Sequence, residues 1–218
     1  MQENRYDLNS LARDLLNNSS DDSILQRAVS AYMRTPYNSA PQQLDQQQQQ
    51  QYLEGIPDMD IDIQELSNSN VYTDNKGKWH SDNPYANALI QIESSGDAKA
   101  TNSKSNAKGL YQFVGQTARN MGLDDPYDPY KAHQAFIRLV QENVRELKKY
   151  GVPANTDTLW WSHNIGAKQA SEVYKYITEG KPVSDRTLKY IKLNGGFTDP
   201  KKYAEHYSER INKYLGRI

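Results

Sequence analysis

The stretch DPYKAHQAFIRLVQENVRELKKYG, residues 128–151, constrains the fold of this chain more than any other. Asp128 and Pro129 supply a capping carboxylate and then a residue whose missing N–H costs nothing at the first helical position, and Gly151 ends the pattern. Between them Ala132, Ala135, Phe136, Leu139, Val140, Val144 and Leu147 recur at three- and four-residue steps, which predicts one apolar stripe along a helix to about Lys149. A long helix with such a stripe serves as the spine of a core and needs partners on that face. The rest of the sequence offers helices: from Pro84 to Glu93, 116–121, 156–163, 167–179 with Gly180 as a stop, 184–192 and 200–215. Strand signals are nearly absent. The expected fold is mainly α, with any β-structure confined to an irregular loop between Ser95 and Lys108.

The N-terminal third reads differently. With 36% hydrophobic residues in 218, and a strongly negative mean hydropathy, the chain is expected to be one domain plus an appendage rather than core throughout. Leu8, Leu11, Ala12 and Leu15, then Ile24, Leu25, Ala28, Val29 and Tyr32, predict two short amphipathic helices. These are too small to form a core alone, so the apolar faces in residues 1–34 are expected to bury against a partner or the main domain; their acidity argues against a membrane surface. Residues 35–78 hold Pro36, Pro41, a glutamine tract from Gln46 to Gln51 and acidic, Ser/Asn-rich sequence, and are expected to be a linker. The main domain then spans 79–218. Charge divides at the same place: residues 1–78 hold 6 Lys+Arg against 12 Asp+Glu, and residues 79–218 hold 20 against 15. A basic second part would suit an anionic polymer, and two segments of separate origin would look the same.

Cysteine is absent, which excludes disulfides and thiolate metal sites, and His80, His133, His163 and His206 have no HExxH-like spacing. No metal or cofactor is expected, nor any sequence-specific nucleic-acid partner. The opening residues MQENRYDLNS lack an apolar run, so neither a signal peptide nor a transmembrane segment is expected.

Glu93 is the candidate for chemistry. In a helix capped by Asn83 and Pro84, Asn87, Gln91 and Ser94 share one face, while Tyr85, Ala86, Ala88, Leu89, Ile90 and Ile92 fill most of the remaining arc. Glu93 falls on the apolar side. A carboxyl group in apolar surroundings resists ionising, so its pKa is expected to rise to where it can donate a proton near neutrality. The competing reading is a helix that ends at Glu93 with its side chain bent into water. The glutamate by itself does not decide between them.

The neighbouring residues do. After Glu93, Ser94 and Ser95 come Ser103, then Gly109, Leu110, Tyr111, Gln112 and Phe113, then Thr117. In this order they resemble the lytic transglycosylases of the goose-lysozyme-like superfamily, enzymes that cut the glycan strands of peptidoglycan. In that family a Glu-Ser pair ends a helix, a serine follows in a loop, and Gly-Leu-aromatic/Met-Gln leads to a threonine. Gly109 precedes Gln112 and Thr117 at the family's spacing, and the interval from Glu93 to Gly109 is one residue longer than is common. Ser162-His163-Asn164-Ile165-Gly166 is similar to the family's Ala-Tyr-Asn-Ala-Gly, with His163 where a substrate-contacting tyrosine usually stands. The last helix, TDPKKYAEHYSERINKYL, resembles the closing segment in which a tyrosine reaches toward the glutamate; Tyr203 is the first choice and Tyr207, one turn later, its rival.

The resemblance implies a lysozyme-like helical domain with a small β-containing or irregular loop region. It implies Glu93 as the catalytic residue and Ser103, Gly109, Tyr111, Gln112, His163, Asn164 and Tyr203 as the substrate-binding set. It also implies a one-carboxylate route between N-acetylmuramic acid and N-acetylglucosamine, giving 1,6-anhydromuramyl ends without a cofactor. Ordinary glycosidases use two carboxylates, so a hydrolase on the same fold would need a second acid such as Asp97, Asp124 or Asp125. A structural particle protein with an inactive domain is the alternative from another class. Trp160 and Trp161 invite a sugar-stacking role, with a core role favoured for at least one. The setting expected from these features is a phage virion, with residues 1–34 docked on virion proteins and the catalytic domain delivered to the host envelope, and an endolysin acting at host lysis is the alternative.

Overall fold

The computed structural model describes residues 60–217. The expected docking helices in 1–34, and the linker as far as residue 59, lie outside the described residues. Eight helices and one two-stranded sheet make up the described part. In chain order they are α1 Ile63–Asn68, β1 Val71–Thr73, β2 Trp79–Ser81, α2 Pro84–Ser94, α3 Gly115–Asn120, α4 Pro129–Lys149, α5 Thr156–Ile165, α6 Ala167–Glu179, α7 Asp185–Gly195 and α8 Pro200–Tyr214. The mainly helical expectation holds, and the helix boundaries fall close to those predicted from caps and periodicity.

The spine is α4. Asp128 accepts from the N–H groups of Tyr130 and Lys131, Pro129 follows, and Lys148 and Lys149 sit where the helix dipole favours cations. Ala132, Ala135, Phe136, Val140, Val144 and Leu147 are buried as the stripe requires. The helix packs against α1, β1, α5 and α6. At its centre the ring of Tyr111 lies flat on that of Phe136, 4.2 Å away and 4° from parallel, and both are fully buried. Truncating either to alanine would cost about 3–5 kcal/mol. Trp160 and Trp161 are also buried.

The domain begins earlier than Trp79. Ile61, Ile63, Leu66 and Val71 are buried in the same core as the spine. Asp62 caps α1 by accepting from Gln64 and Glu65, and the antiparallel β1–β2 hairpin pairs Val71 with Ser81, Tyr72 with His80 and Thr73 with Trp79. Asp74 holds its turn by accepting from the N–H groups of Lys76 and Lys78. Acidic and Ser/Asn-rich composition masked four apolar side chains that fold with the domain. The β-structure is likewise misplaced by the sequence reading: the sheet precedes α2, and the loop from Ser95 to Lys108 contributes only the isolated bridges of Lys108 to Thr101 and Phe113.

Asp60 joins the two ends of the described chain. Its carboxylate accepts from the N–H and hydroxyl of Thr156, at the start of α5, and from Nη1 of Arg217.

Candidate active site

The site is built on the end of α2. Asn83 accepts from the N–H of Ala86, Pro84 occupies the first turn, and Tyr85, Ala86, Ala88, Leu89, Ile90 and Ile92 are buried. The helix stops because Ser95 (φ 51°) and Gly96 (φ 73°) both turn left-handed. The turn is pinned to β2: the N–H of Trp79 donates to the carbonyl of Gly96 at 2.9 Å, and a Cβ on Gly96 would stand 2.8 Å from the Trp79 carbonyl. Glu93 therefore occupies a rigid last turn.

It opens on a cavity of about 750 Å³. Residues from α2, the 102–117 segment and α4–α8 line it, among them Glu93, Asn102, Ser105, Gln112, Asn143, His163, Asn164, Tyr207 and Arg210. Among the described residues Glu93 is the only carboxylate in the lining, and its side chain is 19% exposed. Burial pushes its pKa from 4.5 up to about 7, against the pull of the Arg210 guanidinium. The negative end of the α2 dipole also disfavours a carboxylate at this place. The side chain thus carries its proton through much of the range below neutrality.

His163 stands beside it, Nε2 to Oε1 3.6 Å. Its ring stacks on Trp160 at 5.7 Å and meets Phe136 edge-on at 6.2 Å. Burial lowers its pKa from 6.5 to about 4, with a backbone hydrogen bond to Tyr111 opposing. The imidazole is therefore neutral wherever Glu93 is titrating.

The predicted site residues divide. Glu93, Tyr111, Gln112, His163 and Asn164 border the cavity. Gln112 adopts a left-handed backbone (φ 49°), and its side-chain amide donates to the carbonyl of Gly109 at 3.0 Å. Asn164 donates to the carbonyl of Trp160 at 2.8 Å. The hydroxyl of Tyr111 is spent in the core, 2.7 Å from Nδ1 of His133.

Ser103, Gly109 and Tyr203 are not in the lining. The turn that contains Ser103 brings Asn102 and Ser105 to the cavity instead, with Asn102 accepting from the N–H groups of Lys104 and Ser105. Gly109 is required by packing: it has φ 76°, and a Cβ there would lie 1.8 Å from the Pro126 carbonyl. Tyr203 is fully buried with its hydroxyl unpaired, against the ring of Tyr207 at 4.5 Å. Of the α8 tyrosines it is Tyr207 that lines the cavity, and it donates to the carbonyl of Asn194 at 2.8 Å. Its pKa is raised by burial, pulled down by Arg210 and raised again by Glu93.

Several lining residues were not predicted. Asn143 interrupts the α4 stripe with a buried polar side chain, a signal that apolar periodicity passes over. Tyr190 and Asn194 come from α7. Arg210 lies on the same face of α8 as Tyr203 and Tyr207, so the helical period alone pointed to it. Its Nη2 donates to the carbonyl of Ile92 at 3.2 Å, one residue before Glu93. The acids named for a two-carboxylate mechanism are elsewhere: Asp97, Asp124 and Asp125 are absent from the lining and satisfy Lys99 N–H, Lys131 Nζ and Tyr127 N–H respectively. Among the described residues no group of three His, Cys, Asp or Glu side chains could hold a metal ion, and no helix is long and apolar enough to cross a membrane.

No solved structure matches the chain. Its sequence does match a family: residues 70–182, just over half of the chain, fit the model of the transglycosylase SLT domain. The match takes in the hairpin, the α2 glutamate, the Gly-Leu-Tyr-Gln turn and the helix carrying His163, so the chain belongs to the transglycosylase SLT domain family.

Proposed function

We propose that this protein is a lytic transglycosylase that cleaves the β-1,4 bond from N-acetylmuramic acid to N-acetylglucosamine in peptidoglycan and leaves 1,6-anhydromuramyl ends. The observation that carries this reading is the largely buried carboxylate of Glu93, the one carboxylate among the described residues that line the cavity, with its proton held to about pH 7. Glu93 gives that proton to the glycosidic oxygen as the bond to C1 breaks, and the muramyl N-acetyl oxygen closes on C1 from the other face. The Glu93 carboxylate then takes the proton of the sugar's own 6-hydroxyl, whose oxygen bonds to C1 and displaces the acetamido oxygen. The acid is regenerated and no water is consumed. Gln112, Asn164 and Tyr207 border the path and supply polar groups to the sugars.

Two-carboxylate hydrolysis is less well supported, because Asp97, Asp124 and Asp125 are already bonded away from the cavity. The test is mass spectrometry of fragments released from purified peptidoglycan by the protein and by Glu93→Gln. Anhydromuramyl ends, lighter than reducing ends by one water, from the unmodified protein alone are the expected result. Reducing ends support the hydrolase. No fragments from either protein, on several wall types, support an inactive structural protein.

The proposed setting is a phage particle, in which residues 1–34 dock on virion proteins and the catalytic domain opens the host wall during genome delivery. The helical pattern of 1–34 and the opposite charge of residues 1–78 and 79–218 support it. Detection of the protein in purified particles checks this, and its absence from them favours a lysis enzyme.

A further inference from the structure

Arg210 is the part of the cavity that the proposed reaction leaves unused. Among the described residues it is the only lysine or arginine in the lining, as Glu93 is the only carboxylate. Its guanidinium is held by one neutral acceptor, the carbonyl of Ile92, and among the described residues no acidic side chain forms an ion pair with it. A guanidinium presents five N–H donors in a fork that fits a carboxylate. The bond to Ile92 keeps that fork beside the residue that protonates the cleaved bond.

The proposed substrate carries an acidic group nearby. Muramic acid bears a lactyl ether at C3, on the same pyranose ring as C1, so the lactyl carboxyl lies within one sugar's width of the oxygen that Glu93 protonates. In peptide-bearing strands this carboxyl is tied up as an amide. In strands stripped of stem peptides it is a free anion. Building on the transglycosylase reading above, we infer that Arg210 is a specificity-determining residue that pairs with the free lactyl carboxylate, so that the enzyme prefers glycan from which stem peptides have been removed. A reaction that hydrolyses the amide between the lactyl group and the first amino acid must then supply its best substrate.

The pairing also serves the acid. The charged and titratable groups acting on Glu93 are Arg210 and Tyr207 from α8 and His163 from α5. Of these, Arg210 pulls the carboxyl toward ionising. A bound carboxylate offsets that pull, so the strand that Arg210 selects keeps Glu93 loaded with its proton.

The test divides peptidoglycan from one source into two portions, one treated with an amide-cleaving hydrolase that strips the stem peptides. Initial rates of anhydromuramyl end formation are measured on both for the unmodified protein, Arg210→Gln and Arg210→Lys. The expected preference of the unmodified protein for stripped strands is about fivefold in kcat/KM, the scale of a charge-assisted pair at a solvated rim. Arg210→Gln should bring the ratio of the two rates to unity, and Arg210→Lys, which keeps the charge without the fork, should give an intermediate ratio. Equal rates for the unmodified protein, or an unchanged ratio in Arg210→Gln, overturn the inference. Should Arg210→Gln fail to fold, ionic strength carries the test: the preference falls as salt screens the pair, and a salt-independent preference overturns it. Anhydromuramyl ends formed at equal rates from both portions overturn this inference alone; their absence from both overturns the transglycosylase reading as well.

Discussion

Nε2 of His163 lies 3.6 Å from Oε1 of Glu93, yet the two are not an ion pair at neutral pH. The same burial moves their proton affinities in opposite directions, Glu93 up to about 7 and His163 down to about 4. The proton therefore stays on the carboxyl and the imidazole remains neutral. The separation exceeds hydrogen-bond range, so the resting pair leaves the acid free to bond to a glycosidic oxygen. A cationic neighbour in place of His163 would favour the ionised carboxylate.

This arrangement should be visible in stability. Glu93 has a folded pKa above its ordinary 4.5, so its contribution is fully present below pH 4.5 and is lost as pH rises to about 7. His163 has a folded pKa below 6.5, so its contribution is present above pH 6.5 and is lost as pH falls to about 4. The two dependences oppose each other over nearly one window. Glu93→Gln removes the first, and is expected to gain up to about 3 kcal/mol over the parent between pH 4.5 and 7 and to hold that gain above it. Urea unfolding of both proteins across this range checks it; a stability difference that does not grow with pH would mean that Glu93 is not a buried acid.

Activity should follow the same ionisation. A general acid works only while protonated, so kcat/KM is expected to fall as pH rises through about 7, approaching tenfold per unit beyond it. A pH–rate profile on solubilised glycan strands measures the midpoint. A decline centred near 4.5 would describe an ordinary, solvated carboxylate and remove Glu93 from the role.

Tyr203 and Tyr207 should separate cleanly as phenylalanine variants. Tyr203→Phe deletes a buried hydroxyl without a partner and is expected to leave activity intact and stability unchanged or raised, by up to about 1 kcal/mol. Tyr207→Phe deletes the hydroxyl that bonds to Asn194 at the cavity, and is expected to lower kcat about tenfold with a modest loss of stability. Paired assays of turnover and thermal unfolding decide. The reverse pattern would return the active-site tyrosine to position 203.

Gly109→Ala is expected to destabilise by about 3 kcal/mol or more, since the new methyl group meets backbone at Pro126 and the position keeps a positive φ. Gln112, which donates to the Gly109 carbonyl, should be displaced with it. Denaturant unfolding gives the loss. A stable, fully active alanine variant would mean that this turn has another conformation open to it.

Much of the fold was legible because caps and stops are local. Asn83 and Asp128 each bond the first turn of a predicted helix, and Gly180 ends another. Glu93 was legible for the same reason: its burial follows from the wheel of its own helix. The hairpin was hidden because Val71 and Ser81 pair across a short ribbon whose residues are mostly polar. Depth was hidden as well. Tyr203 and Tyr207 share a face one turn apart, and periodicity gives the face without saying which side chain reaches the cavity. The same period puts Arg210 on the face of Tyr203 and Tyr207, but the carbonyl that holds it, Ile92, is distant in sequence and close only in the fold.

The Asp60 clasp has a mechanical consequence. Asp60 binds both the first residue of the helix that carries His163 and Arg217 near the far end of the chain. Force applied through the residues before Asp60 is therefore shared at once between the start of α5 and the C-terminal segment, instead of unzipping α1 and the hairpin first.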